Sequence, residues 1–301
     1  MDAIINQITA NKPDIKNTTA VNYYKYLLTL KNKMIEKTAP ITIEMFADIN
    51  ATMNAMKESS PTQKKNFAVA LRALHPELYI DICKQMCDES RGFVASDEHR
   101  QQSKIKNEMN ATEIDEIRVK LEKGFMDAVK QIKISATYLH NHLQEMQKWV
   151  LFSLYFTDGL APRRALDYLQ MKFRNYTPDE NYVDIKKKMF IYNHFKTSKL
   201  RGCQQNYVPE KLLKLIKTYI KYIPDGIDTL LFKANGQPLE TSNLLTLKLN
   251  EIFGEGKGVN AIRHHYLTTK YADTIKNYEN LCDDMDDMGS SIGSVRSYII
   301  D

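Results

Sequence analysis

The sequence predicts a mainly α-helical protein with one small antiparallel β-sheet, built as a helical amino-terminal domain (residues 1–105) and a larger second domain (106–301). Three observations lead there. Apolar residues recur at three- and four-residue steps along most of the chain, the helical period. One tract, from Asn181 to Pro209, switches to strand-like segments with lysines at its turn. A polar stretch over residues 91–112, poor in apolar side chains, reads as the linker between two cores. With 301 residues, 43% hydrophobic and 26% charged, the chain is long enough for both.

The elements follow in order. Behind the capping candidates Thr18 and Thr19, the spacing of Val21, Tyr24, Leu27, Leu28 and Met34 gives a first helix that Pro40 ends. Ile43, Phe46, Ile49 and Met53 give a second, from Thr42 to about Lys57. Ser59-Ser60-Pro61 caps a third, with Phe67, Ala70, Leu71 and Leu74 on its apolar side. A fourth runs from Leu78 to about Cys87. Past the linker, Thr112 opens a helix whose first turn carries Glu113, Asp115 and Glu116, where the helix dipole favours acids. Helical patterns continue through Phe125 to Ile132 and Tyr138 to Phe156. Asp158-Gly159 breaks the chain, and Pro162 suits the first turn of a new helix. Residues 181–185 and 189–193 read as strands joined through Lys186-Lys187-Lys188, and residues 205–209 as a third. Helices resume at 209–222 and 241–253, and a last helical run follows Val259.

No apolar run approaches the ~20 residues of a membrane span, and the start lacks a basic segment followed by an apolar core, so neither membrane nor secretion is expected. The expected location is intracellular. Cys83, Cys87, Cys203 and Cys282 are scattered without a zinc spacing, so no metal and no cofactor is expected. The net charge is +5, and the acids gather near the carboxyl end at Asp283, Asp284, Asp286 and Asp287. A basic body with an acidic tail suits a polyanionic partner. Lys64, Lys65 and Arg72 in the first domain fit a DNA backbone or an ordinary solvated face equally well.

The chemistry-bearing motifs lie in the second domain. Asp158-Gly159-Leu160 leads into Arg163-Arg164-Ala165-Leu166-Asp167, where Arg164 and Asp167 stand three apart on one helical face and the acid can buttress the guanidinium. Phe195-Lys196-Thr197-Ser198-Lys199 falls between two strands. Asn260-Ala261-Ile262-Arg263-His264-His265 opens the last helical run. Met288-Gly289-Ser290-Ser291 and Tyr298 close the chain.

In that order, the motifs resemble the tyrosine recombinases, the phage-integrase family, and in their catalytic half the integrases of eukaryotic DNA viruses and mobile elements. The likeness covers roughly residues 113–301, and the amino-terminal helices resemble the family's core-binding domain by layout. The resemblance implies a site-specific recombinase that cleaves and rejoins double-stranded DNA through a 3′-phosphotyrosine intermediate, working as a homo-tetramer on paired sites and weakly associated or monomeric without DNA. A type IB-like topoisomerase, a telomere resolvase, and a DNA-binding relative that has lost catalysis are the alternatives. By position, Arg164 and Arg263 would hold the phosphate, with Arg163 a rival to Arg164. Lys196 would be the general acid, with Lys199 as runner-up, and Tyr298 the nucleophile. Asn260 stands where the family has histidine, and Ser290 where it has histidine or tryptophan. Guanidinium forks match the oxygens of a phosphodiester under attack, and asparagine can donate to such an oxygen but cannot take a proton at neutral pH.

Overall fold

The computed structural model describes residues 1–135 and 140–288. It is mainly helical, with one three-stranded sheet. Its contacts divide the chain into two compact units, Met1–Ser103 and Lys104–Asp301.

The first unit holds α1 (Asp2–Asn11), α2 (Asn17–Met34), α3 (Ile49–Met56), α4 (Pro61–Leu74) and α5 (Ile80–Ala95). Ser60 accepts from the backbone N–H of Gln63 while the Gln63 side chain accepts from the backbone of Ser60, a reciprocal cap with Pro61 in the first turn. Helix α4 then buries Phe67, Ala70, Leu71 and Leu74 against Ile4, Ile8, Leu27, Leu30 and Phe46. Lys31 is buried, and its ammonium donates to the carbonyls of Glu36 (2.9 Å) and Lys37 (2.7 Å) just past the end of α2.

Three expectations change here. Helix α1 was not anticipated. The segment 42–57 is not one helix: a 3₁₀ turn at Glu44–Phe46 precedes α3, whose start is fixed by Asp48 accepting from the Ala51 N–H. The stretch 91–112 is not an open linker. Helix α5 continues into it as far as Ala95, behind a buried stripe of Cys83, Met86 and Ser90, and α6 (Asp97–Asn107) follows, with the unit boundary falling inside α6. Helix α6 buries nothing. Asp97 and Glu98 in its first turn, Lys104 and Lys106 in its last, and the Ser96 hydroxyl accepting from His99 N–H hold it instead.

The second unit is organised around α7 (Ala111–Ser135) and α8 (His140–Phe156). Leu143, Met146, Val150 and Leu154 of α8 point into the main core. On its other side Phe152 stacks with Trp149 and Phe156 and packs on Phe253. The short helix α9 (Ala165–Tyr168) leads to the sheet of β1 (Tyr182–Asp184), β2 (Met189–Tyr192) and β3 (Gln204–Tyr207), antiparallel in that order. The register sets Val183 opposite Phe190 and Phe190 opposite Asn206. The Asp184 carboxylate accepts from the N–H groups of Lys186 and Lys187, closing the β1–β2 turn. Between β2 and β3 lies the single turn α10 (Ser198–Arg201). Helices α11 (Glu210–Tyr219), α12 (Ser242–Phe253) and α13 (Val259–Asp287) complete the unit. Among the described residues no helix is long and apolar enough to cross a membrane.

Candidate phosphate-binding site

The site begins where α8 ends. Thr157 donates its hydroxyl to the Ser153 carbonyl (2.7 Å), Gly159 turns the chain at φ 82°, and Leu160 is buried, anchoring the loop. Pro162 is buried ahead of α9 rather than inside its first turn, since the helix starts only at Ala165.

Arg163, not Arg164, takes the acid. Its Nε donates to Asp167 Oδ2 at 2.7 Å, with the two side chains 16% and 5% exposed. The same guanidinium donates to Gln204 Oε1 (3.0 Å) and Asn206 Oδ1 (3.4 Å) on β3 and lies 3.9 Å over the Tyr192 ring. The expectation that Asp167 buttresses Arg164 is therefore corrected. Three- and four-residue spacings share a helical face, and the sheet beside α9 captures the earlier arginine. Arg164 stands at the cap of α9, exposed; its carbonyl accepts from the Asp167 N–H, and its side chain has no hydrogen-bond or ion-pair partner among the described residues.

Arg263, from a distant part of the chain, lies near enough to act electrostatically on Asp167 and Tyr155. It sits in the second turn of α13, half-buried, where Val259, Ala261 and Ile262 fix the helix start in the core. A Cβ on Gly258 would lie 3.3 Å from Thr246 Cγ2, so α13 begins in close contact with α12. Asn260 is exposed in the first turn, and no side chain caps that terminus. Its first N–H groups therefore lack intrahelical partners, and such a terminus favours anions.

The electrostatics join these parts. Burial raises the pKa of Asp167. The Arg163 pair opposes that rise most, and Arg164 and Arg263 also oppose it. Three guanidinium groups thus act on one buried carboxylate. Tyr155, also buried, is pushed well above the ordinary tyrosine range by burial first, then by Tyr168 and Asp167, while Arg263 pulls the other way. Asp167 Oδ1 and the Tyr155 hydroxyl are buried without a hydrogen-bond partner. The surplus positive charge and the uncapped α13 terminus make an anion-binding neighbourhood.

Lys196 is exposed on the β2–β3 connection, directly after buried Phe195, whose ring centroid lies 5.3 Å from the Arg163 guanidinium. Lys199, the runner-up, is exposed in α10. The base of this connection is fixed by Asn181. Its Oδ1 accepts from the N–H groups of Asn193 and His194 (both 2.7 Å), and its Nδ2 donates to the His194 carbonyl (2.8 Å) and the Asp167 carbonyl (3.2 Å). His264 is exposed. His265 is half-buried near Phe156, and burial lowers its pKa, opposed by the Met109 backbone, which makes it a neutral packing residue at pH 7. Ser290 and Tyr298 lie outside the described residues.

Gln204, Asn206, Tyr192 and Tyr155 were not singled out from the sequence. Gln204 and Asn206 share one face of β3, an alternation that could have marked a polar grip on an arginine. Among the described residues no group of three or more His, Cys, Asp or Glu side chains is gathered as a metal would require. Comparison with family models, curated proteins and solved structures finds no match to this chain.

Proposed function

We propose that the chain cleaves and rejoins double-stranded DNA as a tyrosine-type recombinase, with its phosphate pocket between α9 and the start of α13. The observation that carries the reading is the common action of Arg164 and Arg263 on Asp167, from two elements far apart in sequence. In the proposed reaction, Arg164 and Arg263 bind the non-bridging oxygens of the scissile phosphate and stabilise the charge that develops there. Arg163 is a positioning residue, holding Asp167 and α9 against β2 and β3. The Tyr298 hydroxyl loses its proton to water as its oxygen attacks phosphorus and forms a 3′-phosphotyrosyl bond. The bond to the 5′-oxygen breaks, and Lys196 gives that oxygen its proton. Asn260 donates a hydrogen bond to the phosphate in place of a histidine. The first unit is proposed to grip the flanking duplex.

The length of α13 bears on how the nucleophile arrives. Arg263 and Met288 lie at opposite ends of one continuous helical stretch, about 37 Å apart along its axis at ~1.5 Å per residue. The ten residues from Met288 to Tyr298 span at most about 33–36 Å when fully extended. With α13 intact, a tyrosine from the same chain covers that distance only when the segment runs straight back in nearly full extension and its side chain supplies the last step, so this reading has a neighbouring protomer supply it. That favours an assembling recombinase over an enzyme that works alone.

A duplex carrying a nick next to the cleavage point tests the reading. The wild-type chain should become covalently attached to the DNA, and Tyr298→Phe and Arg263→Ala should each abolish attachment while duplex binding persists. Attachment by the Tyr298→Phe variant would end the mechanism.

A further inference from the structure

A second polar feature lies between α8 and α12. A cavity of about 350 Å³ opens there, within the size range of small-molecule sites, ~300–1,000 Å³. Leu151 and Leu239, both 1% exposed, and Leu244 give it an apolar lining. Lys248 of α12 lines it too, half-buried, and donates from Nζ to Gln144 Oε1 at 2.9 Å.

That bond leaves Gln144 Nε2 buried with no acceptor. The neighbouring lysines on the wall are neutralised: Lys148 by Glu145 at 2.6 Å and Lys233 by Glu240 at 3.2 Å. Lys248 is not. Among the described residues no carboxylate comes within ion-pair distance of it. Burial lowers its pKa, Glu251 opposes that shift, and Lys148 adds like-charge repulsion. Glu251 also lines the cavity but makes no ion pair with Lys248; an ammonium withdrawn from water without a paired carboxylate and an amide N–H without an acceptor each cost free energy. This wall carries both, next to an apolar lining, which is the donor set an anion with a hydrocarbon body would complete.

We propose that this cavity binds a small organic anion, a carboxylate on an aliphatic chain. Its oxygens accept from Lys248 Nζ and Gln144 Nε2, and its chain covers Leu151, Leu239 and Leu244. The site stands apart from the arginine pocket and does not depend on the DNA reading.

Octanoate is the probe, titrated into the full chain and followed by amide chemical shifts and thermal stability. Octylamine carries the wrong charge and acetate lacks the chain, so each serves as a comparator. Octanoate should bind, shifting amides on α8 and α12, at least ten-fold more tightly than either comparator. Lys248→Met keeps the side-chain length and removes the charge, and it should weaken octanoate at least ten-fold. Ala234→Phe, at an exposed lining position, narrows the opening without touching the core and should weaken it as well. Absence of octanoate binding, equal binding of octylamine, or unchanged binding by a folded Lys248→Met or Ala234→Phe variant would overturn the proposal. If Lys248→Met fails to fold by circular dichroism, the comparators and Ala234→Phe decide it.

Discussion

The Arg163–Asp167 pair makes an asymmetric prediction. Replacing Arg163 with Met leaves the Asp167 carboxylate, 5% exposed, without its nearest positive charge. Breaking a buried pair by removing one partner costs about 3–5 kcal/mol. At about 2–4 °C per kcal/mol for a unit of this size, the thermal midpoint of the second unit should fall by roughly 6–20 °C. Asp167→Asn should cost far less. The pKa of Asp167 is raised in the folded chain, with burial outweighing the arginines, so burial already works against its charge. The double variant should therefore be more stable than Arg163→Met alone. Arg164→Met, at an exposed side chain without a partner, should stay within about 0.5 kcal/mol of wild type. The pH dependence has a definite sign. A carboxyl whose folded pKa lies above its unfolded value lowers stability as pH rises from the unfolded value through the folded one. Removing Arg163 pushes the folded value higher, so the deficit should shrink as pH drops below it. Calorimetry on the four variants across pH 4–8, roughly the range around ordinary carboxylate values, reads all of this. Equal damage from Arg163→Met and Arg164→Met, or no rescue by Asp167→Asn, would refute the reasoning.

Three further outcomes can be measured. Mixing Tyr298→Phe with Arg263→Ala should restore covalent attachment to a nicked duplex if a neighbouring protomer supplies the tyrosine, whereas two inactive proteins that stay inactive together would point to delivery within one chain. Duplex affinity should drop about 10³–10⁵-fold between roughly 50 and 200 mM salt if ~6–10 phosphates are contacted, and a flat response in fluorescence anisotropy would remove the phosphate clamp. Gly258→Ala should lower the unfolding midpoint by pressing its new methyl on Thr246, and Thr246→Ala should recover most of the loss. Failure of that rescue would mean that the start of α13 is not held by this contact.

What could be read in advance depended on whether the signal was local. The hairpin was legible because alternation around Val183 and Phe190 and the lysine turn are written in consecutive residues. The α4 cap was legible in Ser60-Pro61 for the same reason. Helix α6 was not, since helix prediction leans on a buried stripe and α6 buries nothing. Helix α1 has Ile4 and Ile8 buried but no capping side chain to announce it. The partner of Asp167 was misread because Arg163 and Arg164 both sit within helical reach of it. The choice is made by Tyr192, Gln204 and Asn206, which no window around α9 contains. The length of α13 was only half visible: no proline or glycine interrupts residues 259–288, yet its exposed middle gives no packing pattern from which to judge where it stops.

Asn181 gives the lysine connection a fixed fulcrum. Because its side chain holds the amides of Asn193 and His194 and the carbonyls of His194 and Asp167, any swing of the connection starts beyond His194. Lys196 is then carried on a short lever rather than a loose loop. Lys199 and Leu200, at 86% exposure for the latter, ride further out. In hydrogen exchange, the amides of Asn193 and His194 should exchange with the slow sheet around them, and those a few residues on should exchange orders of magnitude faster. The boundary between the two regimes would fall just before the lysine, so the sweep of its ammonium stays short and remains referenced to the helix that carries Asp167.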